Sequence, residues 1–485
     1  MSDNNLHTAC IIGGGMSGLF TGALLARNGY KVTVLEKNHI IGGGLQSFRR
    51  GDAVFNTGLQ AFGGYEKGML FYQMVRYIGL PESKLNIVPF HNDAEVVIWT
   101  RNKHCYRIPK GRLPFENYLS AKFPSQAEGI KGLLKELDRI SQLFDYIWFR
   151  KPQFHPEIGK YAYTTADQLI RQYIKDEELI DLLGHFTIHH GYQFNQIPAL
   201  EFGMMTILMI SGLQTIAGGT LNLANSFADY ICEQGGDILN DSEVSKLHIN
   251  QGAVEYVEIK SGQRFYADKF ISSISPLVLL NITDTTIFRL SSENRIRTFT
   301  NDFSSFIVYV KLKNQAFPYV NSWIFVPTFQ EDRGMPTYIS LVTPPVVNQG
   351  QWAETLEIFV PEHYDEFARW EKTKSGSRGD EYEKFKQEKV QSIIKYVSQF
   401  YPQINESIEH IYCSSPLTVR DYYYNPLGAT FSQAGLNIPI KTKANNLFMT
   451  GQAVMYQTLF GVAVTSIMTT ETILGKSLIE EIAKA

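Results

Sequence analysis

The chain has 485 residues, 44% of them hydrophobic and 19% charged, with a formal net charge of −3 at pH 7. That length supports two or three structural units around substantial cores. Acidic and basic residues are mixed along the chain, which excludes the concentrated basic face that nucleic-acid binding needs. Four cysteines, Cys10, Cys105, Cys232 and Cys413, lie far apart with no C-x-x-C pair. Neither a metal site nor a disulfide framework is indicated, which suits a reducing cytoplasm. Met1 to His7 is polar and carries Asp3 without a basic cluster, unlike a secretory signal. Aromatic residues make up 13%, enough for a large aromatic core or for an apolar tunnel.

In chain order, Thr8-Ala9-Cys10-Ile11-Ile12 predicts a strand and Gly13 to Gly18 a G-x-G-x-x-G turn. Leu19 to Ala26 follows as a helix stopping at Asn28-Gly29, and Lys31 to Leu35 is a second strand ending in Glu36. Strand, turn, helix, strand and acid in that order form a dinucleotide-binding fingerprint. Gly13 makes the tight turn, Gly15 lets the backbone approach a pyrophosphate, and Gly18 lets the helix pack on the strand. The helix N-terminus offers free N–H groups and a positive dipole end to the phosphates. Glu36 accepts ribose hydroxyls and repels a 2′-phosphate.

A second glycine cluster, Ile40 to Leu45, comes directly after that strand. A hairpin over Ser47 to Asn56 turns at Gly51-Asp52, and Thr57-Gly58-Leu59-Gln60 and Gly63-Gly64 follow. So many glycines in one place imply backbone close to a ligand. A nicotinamide site does not need this second cluster, whereas a longer, buried flavin does.

Ser125-Gln126-Ala127-Glu128 predicts a capping box. It opens a helix with Ile130, Leu133, Leu134, Leu137, Ile140, Leu143, Phe144 and Ile147 on one face. Tyr146, Trp148, Phe149, Arg150 and Lys151 before Pro152 read as ordinary helix termination or as a contact with lipid headgroups. Phe202 to Gly219 is the most apolar stretch, but Thr206, Ser211, Gln214 and Thr215 interrupt it and it falls short of a membrane span.

Gly218-Gly219-Thr220-Leu221 begins a helix that runs to about Gln234. The Gly235-Gly236 turn leads into a small β-meander (Val244 to Leu247, Val254 to Ile259, Phe265-Tyr266) and a strand from Lys269. Residues 300–360 are β-rich, and Glu371 to Glu383 is an exposed loop entering a helix that ends at Pro402. The last forty residues return to α/β grammar, with a strand over Asn446 to Thr450, a turn at Gly451-Gln452 and a helix over Gly461 to Leu474. A helix N-terminus near Gly461 stabilises negative charge on a reduced isoalloxazine ring, or the helix simply completes the α/β layer.

Together these segments resemble the flavin-dependent phytoene desaturase, carotenoid isomerase and retinol saturase family. The resemblance rests on Gly13–Gly18 with Glu36, Ile41-Gly42-Gly43, Phe55-Asn56-Thr57-Gly58 and Gly218-Gly219 with Gly235-Gly236. Ser415-Pro416-Leu417-Thr418, Gly428-Ala429-Thr430 and Asn446 to Gln452 complete it. It implies an α/β fold: a Rossmann-like FAD-binding domain with a parallel sheet, plus a mixed α+β substrate-binding domain of the amine-oxidase and phytoene-desaturase kind. The FAD domain is implied over 1–85, 215–280 and 430–485, and the substrate cap over 86–214 and 281–429. The first FAD contacts implied are Gly13, Gly15, Met16, Ser17, Gly18, Glu36 and Lys37. Gly43, Gly44, Leu45, Gly58, Leu59 and Gln60 follow in the second cluster. Val244, Gly451, Gln452, Gly461 and Val462 come from the later segments. No metal is implied. The sequence departs from its relatives at Asn56, where Asp is usual, at Gln60, where many saturase-like members carry His, and at Gly44, where amine oxidases place Arg.

The resemblance further implies hydride exchange between the flavin and a carbon of an apolar polyene or isoprenoid, in the cytoplasm with peripheral membrane contact left open. The electron partner and the direction of the reaction (desaturation, saturation or isomerisation) stay open. Proton-handling candidates are His185, His189 and His190, beside Tyr192, with His189 and His190 put forward as catalytic, because histidine titrates near neutral pH. Three histidines in an aromatic region are also ordinary packing residues. Tyr456 flanks the flavin or belongs to the core. Two further readings stand beside this one: a flavin oxidase of amines or another substrate, and a non-catalytic lipid-binding escort on the same scaffold.

Overall fold

A computed structural model describes residues 7–91, 93–186, 195–300, 303–328, 338–423, 425–430 and 436–485. Its organising element is a five-stranded, all-parallel sheet with the spatial order Asp237–Leu239, Lys31–Leu35, Thr8–Ile12, Lys269–Ser272, Leu447–Met449. Strands from both ends and the middle of the chain therefore lie side by side. They are short and apolar because both faces are covered, as parallel sheets require. The helices Met16–Arg27, Leu221–Glu233 and Thr458–Leu474 pack beside this sheet. Leu247, Val257, Phe270, Leu279 and Leu447 belong to a separate core that includes the meander.

The Met16–Arg27 and Thr458–Leu474 helices are buried on nearly every side and carry almost no charge. Their polar groups are satisfied locally. The Thr21 and Thr450 hydroxyls lie 3.1 Å apart, Ser466 Oγ donates to the Ser17 carbonyl, and Thr469 Oγ1 donates to the Met449 carbonyl. Buried polar groups persist in apolar surroundings when they are paired in this way.

A second, mixed sheet has seven strands in the order Ile408–Ser414, Phe303–Leu312, Thr355–His363, Tyr338–Val342, Trp323–Pro327, Val96–Trp99, Cys105–Ile108. All its pairings are antiparallel except Trp323–Pro327 with Val96–Trp99. The described residues between 112 and 211 are mostly helical, and their apolar faces share one core with the helices of the parallel sheet.

Most expected elements form where the residue pattern places them, including the Ser47–Arg50 and Ala53–Asn56 hairpin and the meander. Two expectations are corrected. The capping box at Ser125 does not form: Pro124–Gln126 is a 3₁₀ turn, and Gln126 precedes the Ala127–Ser141 helix without a side-chain cap. Pro124 draws Ser125 into that turn and away from the extended backbone an N-cap needs. The box forms instead at Thr165 and Gln168. The helix also ends at Ser141, and the apolar face continues through a separate 3₁₀ turn, Asp145–Trp148. The Phe202 to Gly219 stretch is a 13-residue helix, Ala199–Ser211, then a strand, Leu213–Ile216. Gly212, at φ 147°, makes the break. Among the described residues no helix is long and apolar enough to cross a membrane.

A Cβ on Gly18 would collide with the Gly13 carbonyl oxygen and lie 3.1 Å from Ile11 Cγ2. Gly18→Ala is accordingly expected to destabilise the fold by about 1–3 kcal/mol, read as a lower melting temperature in the absence of added cofactor.

Candidate functional site

The carboxyl ends of the first strands and the turns after them open into one cavity of about 640 Å³. Ligands bind at this position in open α/β sheets. Gly13 sits at φ 102° and its N–H donates to the Leu35 carbonyl, so the first strand turns sharply into the helix. The Glu36 carboxylate accepts from Gly14 N at 2.8 Å and from Asn38 N at 2.9 Å. These bonds fix the carboxylate at the cavity wall. The second glycine cluster is joined to the first through backbone alone: Gly42 N donates to the Gly14 carbonyl at 2.8 Å, and Gly15 and Gly42 form a parallel bridge. Gly42 and Gly43 have φ of 103° and 55°, and a Cβ on Gly43 would lie 3.3 Å from Gly15 Cα.

The cavity wall carries Gly13, Gly15, Met16, Ser17, Glu36 and Lys37 from the first segment. Gly43, Gly44, Leu45, Gly58, Leu59 and Gln60 come from the second, and Val244, Gln452 and Val462 from the later ones. Three expected contacts lie behind the wall. Gly18 packs helix on strand, and Gly451 (φ 95°) would set a Cβ 2.9 Å from Ser17 Oγ. A Cβ on Gly461 would lie 2.7 Å from Tyr456 Cβ, in the second turn of a helix that starts at Thr458 rather than at Gly461.

Tyr456 does not line the cavity. Its ring lies 5.8 Å from that of Phe144 in the core, and burial raises its hydroxyl well above the usual phenol range. His189, His190 and Tyr192 lie outside the described residues. His185 is fully buried, with Nδ1 2.5 Å from the Leu182 carbonyl oxygen and its ring against Phe186 and Phe325. Burial lowers its pKa to about 3, so it is neutral throughout the physiological range.

Several wall residues carry no linear signal. Trp323, Ser340 and Phe359 reach the cavity from three neighbouring strands of the seven-stranded sheet, and Tyr423 from the Pro416–Tyr423 helix. Strand alternation says that one face is buried, but not what that face looks onto. Among the described wall residues every charged side chain belongs to Glu36, Lys37, Glu243 or Lys260. The last two form an ion pair at 2.6 Å, and Ser242 N donates to the Glu36 carbonyl at 2.7 Å, so the charged groups are gathered at one end. Burial lowers the Lys37 ammonium to about 8. The rest of the wall is neutral.

Just behind it, Asn56 joins three segments. Its Oδ1 accepts from Thr220 N at 2.8 Å and Ser47 Oγ at 3.1 Å, and its N–H donates to Glu357 Oε1 at 2.6 Å. Burial raises the Glu357 carboxyl from an ordinary 4.5 to about 8, against the lowering effect of the Asn56 donors.

A family profile described as flavin containing amine oxidoreductase matches residues 16–466, and the chain belongs to that family. Human all-trans-retinol 13,14-reductase is 22% identical over 535 aligned positions, taking in 97% of this chain and 86% of the human one. Arabidopsis thaliana chloroplastic prolycopene isomerase is 27% identical over 293 positions, covering 56% of this chain and 48% of that protein. Among solved structures, an oxidoreductase from Methanosarcina mazei shares the fold with a TM-score of 0.67 at 14% identity, covering 97% of this chain and 100% of its own.

The protein is a flavin-dependent oxidoreductase whose cofactor is FAD. The cavity fits that cofactor. A Cβ on Gly15 would meet nothing within 4 Å, so the helix N-terminus faces open space, and the buried Gln452 Oε1 has no protein partner.

Two outcomes follow from this geometry. Gly15→Ala leaves the melting temperature of the cofactor-free protein unchanged, because φ is −72° and the space is open. It lowers FAD affinity about tenfold or more, equivalent to at least ~1.4 kcal/mol, as measured by flavin fluorescence titration. Glu357 gives the second. Its folded pKa lies above the unfolded one, so the folded state binds the extra proton between about pH 4.5 and 8. Its contribution to stability is full below 4.5 and is lost as pH rises towards 8. The melting-temperature advantage of wild type over Glu357→Gln therefore shrinks from pH 5 to pH 8.

Proposed function

We propose that the protein carries out FAD-dependent redox or isomerisation chemistry at the double bonds of an apolar, retinoid-like or carotenoid-like polyene. The observation that carries this reading is the division of the cavity. Its charged groups cluster at the glycine-rich end, and its sheet end is walled by neutral side chains such as Leu59, Trp323, Phe359, Leu459 and Val462. A dinucleotide suits the first end and a long apolar chain the second. The similarity to all-trans-retinol 13,14-reductase and prolycopene isomerase, whose names speak of polyenes, supports the same substrate class.

In this reading Gly13, Gly15, Ser17 and Glu36 would hold the nucleotide, and Gly43, Gly44, Gly58, Gln452 and Val462 would hold the flavin. Residues 1–85, 215–280 and 430–485 form the cofactor domain and the intervening segments the substrate cap. FAD, when bound, supplies a reversible hydride acceptor and donor. The protein's part is to orient and desolvate. Leu59, Phe359 and Val462 keep water from the reacting carbons, and the Met16–Arg27 helix sets its N-terminal N–H groups towards phosphate.

The test is to incubate the FAD-loaded protein anaerobically with all-trans-retinol or a carotenoid, with the flavin either oxidised or reduced. A change in the polyene spectrum, with a product of altered mass or geometry, is expected. Peroxide release from an amine under air, with no change in any polyene, would replace this reading with that of an amine oxidase.

A further inference from the structure

Where the seven-stranded sheet closes the cavity, one amide side chain stands among uncharged groups. Gln60 is 8% exposed and lines the cavity. Its backbone carbonyl accepts from Thr215 Oγ1 at 3.0 Å, which fixes the main chain. Its side-chain oxygen accepts from Trp323 Nε1 at 3.2 Å and from Ser340 Oγ at 2.6 Å. An indole N–H can only donate, so the group facing Trp323 must be the oxygen of the amide and not its nitrogen. The Nε2 group is thereby turned away from the sheet, and it has no hydrogen-bond partner in the protein. A buried donor left without an acceptor is costly, and such groups mark places where a ligand completes the bond.

We propose that the Gln60 amide donates to an oxygen on the substrate, so that the preferred substrate is an oxygenated polyene, an alcohol or carbonyl compound, rather than a pure hydrocarbon. This rests on the polyene reading above and narrows it. The two relatives differ in this respect, since the name of one speaks of retinol, an alcohol, and that of the other of prolycopene, a hydrocarbon. Gln60 is a specificity-determining residue: it binds and orients the oxygen, and takes no proton. Trp323 and Ser340 are positioning residues that act through it: the indole N–H decides which end of the amide faces the sheet, and the Ser340 hydroxyl holds the oxygen there.

The experiment measures binding to the FAD-loaded protein of two probes: all-trans-retinol and the matching hydrocarbon in which the terminal CH2OH is a methyl group. Wild type is expected to prefer the alcohol by roughly tenfold, the worth of one buried neutral hydrogen bond. Gln60→Leu should weaken the alcohol to the level of the hydrocarbon and leave hydrocarbon binding unchanged. Gln60→Leu also strands the Trp323 and Ser340 donors, so Trp323→Phe serves as the second variant. It keeps the amide, frees its oxygen, and should lose part of the preference while its melting temperature reports folding. Equal binding of the two probes by wild type overturns the proposal, as does a full preference retained in folded Trp323→Phe. A Gln60→Leu protein that binds both probes like wild type but shows a shifted flavin absorption band overturns it too, because the amide then faces the cofactor. If wild type binds neither probe, the polyene reading itself falls.

Discussion

Everything at the centre of this molecule depends on two strips of backbone meeting without side chains between them. Gly42 N donates to the Gly14 carbonyl and Gly15 bridges to Gly42, so the first helix N-terminus and the second glycine cluster form one surface. A Cβ on Gly13, Gly18 or Gly43 would press on Ser273, Gly13 or Gly15, and any such displacement would shift the wall against which a dinucleotide rests. Glycine is used here for closeness as much as for its backbone freedom.

From that junction the polar and apolar halves of the site separate for a physical reason. The charged groups arrive with the parallel sheet and its meander, whose strand ends and turns expose backbone N–H groups and carry Glu36, Lys37, Glu243 and Lys260. The opposite half is supplied by the middle strands of a sheet buried on both faces, which can tolerate only neutral groups. The polar groups that reach it are bonded through their oxygens or kept neutral. Gln60 has its oxygen satisfied twice, and Glu357 holds the Asn56 backbone N–H while burial favours its neutral form. The Asn at position 56 has a consequence for this arrangement, because a carboxylate there would stand against Glu357 in a low-dielectric interior.

Much of this was legible in the residues. Hydrophobic periodicity and turn chemistry located the parallel strands, the hairpin, the meander and the buried helices, and the glycine clusters marked most of one cavity wall. The capping box failed because Pro124, one residue before Ser125, decided the local backbone first. Gly461 was expected at a helix N-terminus, but the helix starts a turn earlier and leaves this glycine to accommodate Tyr456. Tyr456 itself turns into the core towards Phe144.

By itself, then, the amino-acid order determined the local elements and the nucleotide-facing turn, because a strand, a glycine turn, a helix and an acid close together in the chain need only local bonds to form. Tertiary structure alone decided the other side of the cavity. Trp323, Ser340 and Phe359 are separated from Gln60 by more than 260 residues, and they share a cavity wall with it because the seven-stranded sheet turns the same face of three successive neighbouring strands towards the glycine-rich segment. The sequence shows that such a face is apolar. Only the packing of that sheet over the glycine-rich segment shows what it encloses.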